Sequence, residues 1–210
     1  MPRYLAIAGT HGSRRRLDWD HPRSAFADFL RARGLEPLEE DERRRYAWST
    51  VLDGIDGRDD TWDAAGRALY HYLVPPLGIG GPAIPPRETF IVAHSHAGQV
   101  VAFACGVYGL EVEGLVTVGT PVRGGRMTEV YAAAAPRIRR HLHLHSRRDW
   151  WQVVGSLFDG RWGIHREHPH ADNQEMPKGH GDVLRDPGLF ALWVSRGWIS
   201  YLQPEVAGVG

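Results

Sequence analysis

The sequence is poor in several features that mark particular classes of protein. Its single cysteine, Cys105, excludes an internal disulfide. Its 25 basic and 25 acidic side chains leave no net charge, which argues against a nucleic-acid groove or a polybasic membrane anchor. No apolar run is long enough to span a bilayer, and the apolar stretch near the start is too short for the core of a signal peptide. We therefore expect a cytoplasmic protein that has no nucleic-acid partner.

The length of the chain fits one compact enzyme domain. A chain of 210 residues is long enough to bury the core of one α/β domain. The arginine runs 14–16 and 43–45 are short, and we interpret them as solvated faces. No internal repeat or linker divides the sequence, so we predict a single domain over residues 1–210.

Apolar, β-prone runs alternate with helical patterns along the chain. The predicted strands cover residues 3–8, 35–38, 89–93, 114–118 and 138–145. The predicted helices cover residues 22–33, 61–73, 96–108, 128–135 and 188–202, with Pro22 in the first turn of the first helix and Asp60 or Thr61 capping the second. Strands separated by helices predict a mostly parallel sheet with helices on both faces, which is a three-layer αβα sandwich.

Ser95 stands where a predicted strand runs directly into a predicted helix. A serine on such a tight turn projects its hydroxyl above the end of the sheet, and the turn needs very small residues two positions before and after it. Those positions hold Ala93 and Ala97. A serine that only caps a helix has no need of small residues on both sides. We therefore interpret Ser95 as a nucleophile.

The sequence resembles the α/β-hydrolase superfamily over most of its length. The matching motifs are Ala-His-Ser-His-Ala-Gly at 93–98, Gly-Thr-His-Gly at 9–12, and Val-Gly-Thr-Pro at 118–121 followed by Gly124 and Gly125. The usual motif has glycine where this chain has Ala93 and Ala97. The resemblance implies a minimal member without the two opening antiparallel strands, similar in size to cutinases and small lipases.

The resemblance also implies that the acid and the base of a catalytic triad follow the serine in that order. The acid is expected after the strand that follows the Gly-Thr-Pro turn, and Asp149 lies there, four residues beyond the predicted strand 138–145. Asp159 and Asp172 are the alternatives. The alternative to a catalytic role is that Asp149 is only a turn residue or a helix cap, since aspartate favours caps.

The base is expected on a loop before the last helix. His180 lies between Gly179 and Gly181, ahead of an apolar stretch and an Asp-Pro pair that lead into the predicted final helix. The flanking glycines give the loop the freedom to bring the ring back to the serine. The rival histidines precede it in the chain and are His165, His168 and His170.

Acyl transfer needs two backbone N–H donors at the position where negative charge develops. In the superfamily the residue after the nucleophile supplies one, which implies His96 here. The second comes from the loop after the first strand, where the motif match implies Ser13, with Thr10 or His11 as alternatives.

Residues 150–178 separate the predicted acid from the predicted base. This segment is rich in aromatic and polar residues, and we expect it to overhang the substrate pocket as a lid or wall. The expected pocket residues are aromatic and are His11, Trp48, Trp150 and Trp151. Such a lining suits a small acyl substrate with an apolar or aryl portion, although Trp150 and Trp151 are equally well explained as core residues.

Twelve histidines raise the alternative of a metal-dependent hydrolase. Two groups have suggestive spacing: His141, His143 and His145 share one face of a predicted strand, and His165, His168 and His170 lie near Asp172. The outer two histidines of the first group are ~13 Å apart along a strand, too far to share one ion. We expect those rings to pack under a helix, with His145 alone near the catalytic edge. We predict no metal and no other cofactor.

These observations together predict a serine hydrolase that cleaves a carboxylic ester through an acyl-enzyme. Ser95 is the nucleophile, His180 the base and Asp149 the residue that orients it. The alternatives are an acyltransferase, thioesterase or cyclase that uses the same acyl-enzyme, and a catalytically silent member of the fold that binds a ligand or partner. The sequence leaves the oligomeric state open.

Overall fold

A six-stranded parallel sheet organises the chain in this computed structural model, which describes residues 2–9, 18–38, 46, 59–74, 88–149 and 167–204. The strands are β1 (Arg3–Ile7), β2 (Glu36–Pro37), β3 (Thr89–His94), β4 (Val112–Val118), β5 (Ile138–His145) and β6 (Asp172–Glu175). Their order is β2-β1-β3-β4-β5-β6, and every neighbouring pair is parallel. All strands therefore end at the same edge of the sheet.

Helices cover both faces of this sheet. They are α1 (Ala25–Arg31), α2 (Asp59–Leu73), α3 (Ala97–Gly106), α4 (Arg126–Ala134), α5 (Asp182–Arg185) and α6 (Phe190–Ser195). α2, α3 and α4 contribute to one apolar core, and α1, α5 and α6 to the other. The predicted αβα sandwich is confirmed. Within the described residues, no helix has the length and apolar character that crossing a bilayer requires.

The two central strands, β3 and β4, are buried along their whole length. Their side chains alternate between the two cores, so that Ile91 and Ala93 of β3 face α2 and α3 while Phe90 and Val92 face α1 and α6. Full burial of one such aliphatic or aromatic side chain contributes about 1.5–3 kcal/mol. This packing fixes the register of β3, and with it the position of the residue that follows the strand.

Three predicted helix starts were wrong, and one of them is that of α4, which begins at Arg126 instead of residue 128. α1 begins at Ala25 instead of Pro22, because the hydroxyl of Ser24 accepts a 3.1 Å hydrogen bond from the N–H of Ala27 and caps the helix. α2 begins at Asp59, ahead of the predicted caps Asp60 and Thr61.

The predicted final helix, 188–202, is broken into three pieces. A 3₁₀ turn over Pro187–Leu189 leads into α6, and a second 3₁₀ segment covers Trp198–Leu202. The break lies at Gly197, which has φ of 71°, a value that a continuous right-handed helix excludes.

β6 was not predicted from the sequence. Its four residues, Asp172 to Glu175, are all polar, because β6 is an edge strand that pairs with β5 and is largely exposed. β6 lies inside the predicted insertion 150–178, so part of that segment belongs to the central sheet. Residues 150–166 lie outside the described residues.

Candidate active site

Ser95 occupies the turn between β3 and α3 in a backbone conformation that residues other than glycine rarely adopt. Its φ is 56°, and it is the one non-glycine residue with positive φ in the described part of the chain. Two hydrogen bonds to the end of β4 hold it there: the N–H of Ser95 donates to the Val118 carbonyl at 2.9 Å, and the Thr120 hydroxyl donates to the Ser95 carbonyl at 2.8 Å. Strain of this kind costs of order 1–3 kcal/mol and clusters at functional sites.

The small residues around Ser95 are required by close contacts. A Cβ added to Gly98 would lie 2.4 Å from Cγ2 of Thr120, the residue that holds the Ser95 carbonyl. A Cβ added to Gly9 would lie 2.6 Å from Cβ of Ser95. The end of β1 is therefore in direct contact with the turn, and Ala97 next to it is fully buried.

Asp149 and His180 form a short side-chain contact at this edge of the sheet. Oδ2 of Asp149 lies 2.6 Å from Nδ1 of His180, a distance typical of a strong hydrogen bond to a charged group. The Asp149 side chain is fully buried and that of His180 is 18% exposed. A buried carboxylate at Nδ1 fixes the proton there, which leaves Nε2 of His180 as the acceptor.

The two residues come from consecutive strand ends. Asp149 lies on the turn after β5, where its N–H donates to the Ser146 carbonyl at 3.4 Å. His180 follows β6 and precedes α5, and the turn is made by Gly181, which has φ of 81°. Because β5 and β6 are parallel neighbours, their following turns meet at one edge.

The last residues of β3 and β4 join this pair to the turn that carries Ser95. A Cβ on Gly119, directly after β4, would lie 3.0 Å from Nδ1 of His180 and 3.4 Å from Oδ2 of Asp149. The ring of His94, directly before Ser95, lies 4.6 Å from the ring of His180. The structure thus brings the three residues of the predicted triad to one end of the sheet.

His96, the predicted oxyanion donor, follows Ser95 and is half-buried. Its ring stacks on Trp62 of α2 at 5.4 Å, and the guanidinium of Arg123 lies 4.7 Å from the Trp62 ring. Burial above all, then the positive charges of Arg123 and His180, lower the pKa of His96 to about 3. An imidazole with so low a pKa is a poor proton acceptor, so His96 is a weaker candidate than His180 for the base.

Several predicted site residues lie outside the described residues. They are Ser13, His11, Trp48, Trp150 and Trp151, together with the alternatives Thr10, Asp159 and His165. Of the described alternatives, Asp172 lies on β6, where it accepts a hydrogen bond from the hydroxyl of Tyr201. It therefore has a partner away from His180.

The described rival bases, His168 and His170, belong to a separate histidine cluster at β5, which they form together with His141, His143 and His145. The hydroxyl of Thr117 lies 3.0 Å from Nε2 of His141 and 2.9 Å from Nδ1 of His143. The ring of His168 lies 4.6 Å from those of His141 and Tyr131. His168 thus packs against Tyr131 of α4.

Burial is the main cause of the low pKa values of His141 and His168. It holds the pKa of His141 well below the ordinary value, with the charge of His168 as the next cause. Burial, followed by the charge of His170, lowers the pKa of His168 to about 4. No group of three or more histidine, cysteine or acidic residues in the described ranges has the geometry to hold a metal ion.

Two residues that contact His180 were not predicted from the sequence as part of the site. One is Gly119, whose role depends on a contact between turns distant in sequence. The other is His94, which stood inside the quoted motif. The sequence does indicate the orientation of His94, because side chains alternate along β3 and His94 therefore lies on the face opposite Ala93.

Comparisons with known proteins identify the fold. No family model matches the chain, and no curated protein resembles it in sequence. A solved structure of a "predicted CIB-like hydrolase" from Thermoplasma acidophilum has a TM-score of 0.53 and 14% identity, over 94% of this chain and 86% of that one. A structure reported for the metagenome-derived lipolytic enzymes LipS and LipT has a TM-score of 0.50 and 11% identity, over 95% and 94% of the two chains. The chain therefore has the α/β-hydrolase fold implied by the sequence resemblance.

Proposed function

We propose that the protein is a serine hydrolase whose triad is Ser95, His180 and Asp149, and that it cleaves a carboxylic ester. The observation that supports this most is the 2.6 Å contact between His180 Nδ1 and the buried carboxylate of Asp149, beside a serine held at φ of 56°. A surface histidine or a simple helix cap needs neither feature.

In the proposed acylation, Nε2 of His180 takes the Ser95 hydroxyl proton while Oγ attacks the acyl carbon. The carbonyl electron pair moves to oxygen, which gives a tetrahedral oxyanion beside an imidazolium. When the carbonyl re-forms, the bond from the acyl carbon to the alcohol oxygen breaks, and His180 gives its proton to the leaving oxygen. Water then attacks the acyl-enzyme by the same steps, which releases the acid and restores Ser95.

Asp149 acts through His180 in this proposal. Its carboxylate keeps the proton on Nδ1, so that Nε2 is free to accept from Ser95, and it stabilises the imidazolium that forms. Because the Asp149 side chain is fully buried, water competes little for its charge.

The proposed oxyanion donors are the N–H groups of His96 and Ser13. His96 directly precedes α3, where the helix dipole favours negative charge. The contact between Gly9 and Ser95 supports a donor from the loop after β1, because that loop leaves the sheet beside the nucleophile. Thr10 and His11 are alternatives to Ser13.

The proposed substrate is a small acyl compound with an apolar or aryl portion, bound near His11, Trp48, Trp150 and Trp151. The same acyl-enzyme would serve a thioesterase, an acyltransferase or a cyclase, and the acyl acceptor separates these activities. The single, buried Cys105 supports the cytoplasmic location that we also propose.

The test of this proposal is covalent labelling by a fluorophosphonate, read by intact mass, followed by a chain-length panel of nitrophenyl esters. We expect one adduct on the wild type, no adduct on Ser95→Ala, and ester hydrolysis that is lost with the adduct. Ser200→Ala is the matched control, because Ser200 is exposed on the segment after Gly197. Equal labelling of Ser95→Ala would refute the assignment of the nucleophile.

A further inference from the structure

His94 is the last residue of β3 and directly precedes Ser95. Strand alternation directs its side chain to the face that carries α1 and α6, where it is buried. Its ring centroid lies 4.6 Å from that of His180, with the two planes at 58°, and the ring of Trp19 lies 6.1 Å from it on another side. His94 thus fills the space between Trp19 and the proposed base.

The turn that carries His180 lies directly on the His94 ring. A Cβ added to Gly181 would be 2.5 Å from Nε2 of His94 and 2.9 Å from its Cδ2. Nη1 of Arg185 would be 2.7 Å from the same position. The backbone of the turn therefore has contact with His94 on one side, and glycine is required both by this contact and by its φ of 81°.

The hydrogen bond to Asp149 does not by itself determine where Nε2 of His180 points. A ring held at one atom keeps the freedom to rotate about that bond and to move with its backbone. Gly119 limits the movement at the edge that carries Nδ1, where an added Cβ would be 3.0 Å from that atom. His94 limits the movement a second time, because it contacts both the His180 ring and the backbone of Gly181.

The electrostatic surroundings suit His94 to this position. Burial above all, then the positive charges of His180 and Arg185, hold the pKa of His94 well below its ordinary value. Arg185 is in turn fixed by Asp18, whose carboxylate accepts from Nε at 3.0 Å and from Nη2 at 3.3 Å. A neutral ring beside His180 adds no charge that would oppose formation of the imidazolium.

We propose that His94 is a positioning residue, whose ring supports the His180–Gly181 turn so that Nε2 of His180 points at Ser95. This inference rests on the proposed function, because it assigns His94 a task within the same triad. Catalytic groups must be held within about 0.5 Å of the productive geometry, and the residues that pack behind them provide that precision.

The first test is His94→Ala, with His143→Ala as the matched control. Both remove a buried histidine from the sheet, but His143 contacts Thr117 and the histidine cluster instead of His180. We expect kcat to fall about 10- to 100-fold in His94→Ala with little change in KM, because a small misplacement of a catalytic group has effects of that size. His143→Ala, measured where it is folded, should keep its kcat.

The second test is a double-mutant cycle with Gly181→Ala. In the wild type the new methyl group meets the His94 ring, whereas in the His94→Ala background that space is empty. We therefore expect the factor by which Gly181→Ala lowers kcat to be at least fivefold smaller in the His94→Ala background than in the wild type, because the effects of substitutions at residues in contact are not additive. Gly34→Ala, at φ of 76° with nothing within 4 Å, measures the cost in stability of the positive φ alone.

The third readout does not depend on catalysis. The proton between Nδ1 of His180 and Asp149 should give a far-downfield NMR signal, which broadens or disappears in His94→Ala and in Asp149→Asn. If wild type neither labels at Ser95 nor cleaves esters, the proposed function fails, while this signal still reports whether His94 fixes the ring. An unchanged signal, an unchanged kcat in folded His94→Ala, or an additive cycle would each overturn the role of His94.

Discussion

Gly119 faces His180 so closely that a Cβ at Gly119 would lie 3.0 Å from Nδ1 of the imidazole. The N–H of Gly119 donates to the Leu144 carbonyl at 2.8 Å, so the backbone has little room to withdraw. The glycine that directly follows β4 is thus a condition for the contact between Asp149 and His180, which come from the next two strand ends.

Gly119→Ala should therefore impair activity more than its effect on stability explains. The methyl group displaces the His180 ring by a few tenths of an ångström, and we expect kcat to fall about 10- to 100-fold. The strain of φ at 59° should destabilise the fold by about 1–2 kcal/mol. Gly34→Ala carries a similar strain at φ of 76° in open space and should leave ester hydrolysis unchanged. Equal kcat values in the two folded variants would show that the contact at Gly119 has no role.

Asp149→Asn tests the orientation of the base. An amide at this position retains the shape of the carboxylate, but it favours the wrong tautomer of His180 and leaves the imidazolium without a counter-charge. We expect kcat to fall by up to ~10⁴ while KM changes little. The comparison is Asp172→Asn on β6, which removes the alternative acid and should retain nearly full activity. A reversed pattern would move the acid to Asp172.

The sequence predicted the elements that position the site because their signals are local. β3 is a buried strand whose bounds follow from an apolar run. β5 is buried only in its second half, and its bounds follow from the alternation of histidine and leucine. The serine turn follows from small residues near Ser95. The structure places Asp149 and His180 in contact, and it was the chain order implied by the superfamily resemblance that singled them out.

What the sequence did not predict depends on contacts made elsewhere in the fold. β6 has no apolar residue, so its existence rests on hydrogen bonds to β5 instead of burial. The final helix has a continuous helical pattern, yet Gly197 interrupts it. The role of Gly119 appears only when the turns after β4, β5 and β6 meet, since nothing in a Gly-Thr-Pro motif specifies what lies beside it.

His180→Ala tests the base against the rival histidines. Removal of a triad member should lower kcat by several orders of magnitude, on the order of 10³–10⁶, because the triad acts as a unit. His168→Ala and His170→Ala should lower kcat far less, since both residues lie in the histidine cluster near Tyr131. The activity should also survive dialysis against a chelator. Loss on chelation with recovery on added Zn²⁺ would instead favour the metal-dependent alternative.

The histidine cluster links the stability of the fold to pH. His168 has a folded pKa of about 4, below the value near 6.5 expected for the unfolded chain. Between these values the unfolded chain binds a proton that the folded protein does not, so stability falls as pH falls from about 6.5 to about 4. Above this window both states are neutral, and His168 has no effect on the pH dependence. The total loss from this one group is at most about 3 kcal/mol.

We therefore expect His168→Phe to flatten the acid limb of the stability curve. Phenylalanine keeps a ring between His141 and Tyr131 but takes up no proton, so the slope of the unfolding free energy between pH 6.5 and 4 should decrease by up to about 1.4 kcal/mol per pH unit. Urea unfolding at a series of pH values measures this slope independently of any overall change in stability. Val194→Ala is the control, because Val194 is exposed on α6 and carries no titratable group, so the slope should stay as it is in the wild type. A His168→Phe variant with the wild-type slope would show that His168 does not contribute to the acid sensitivity of the fold.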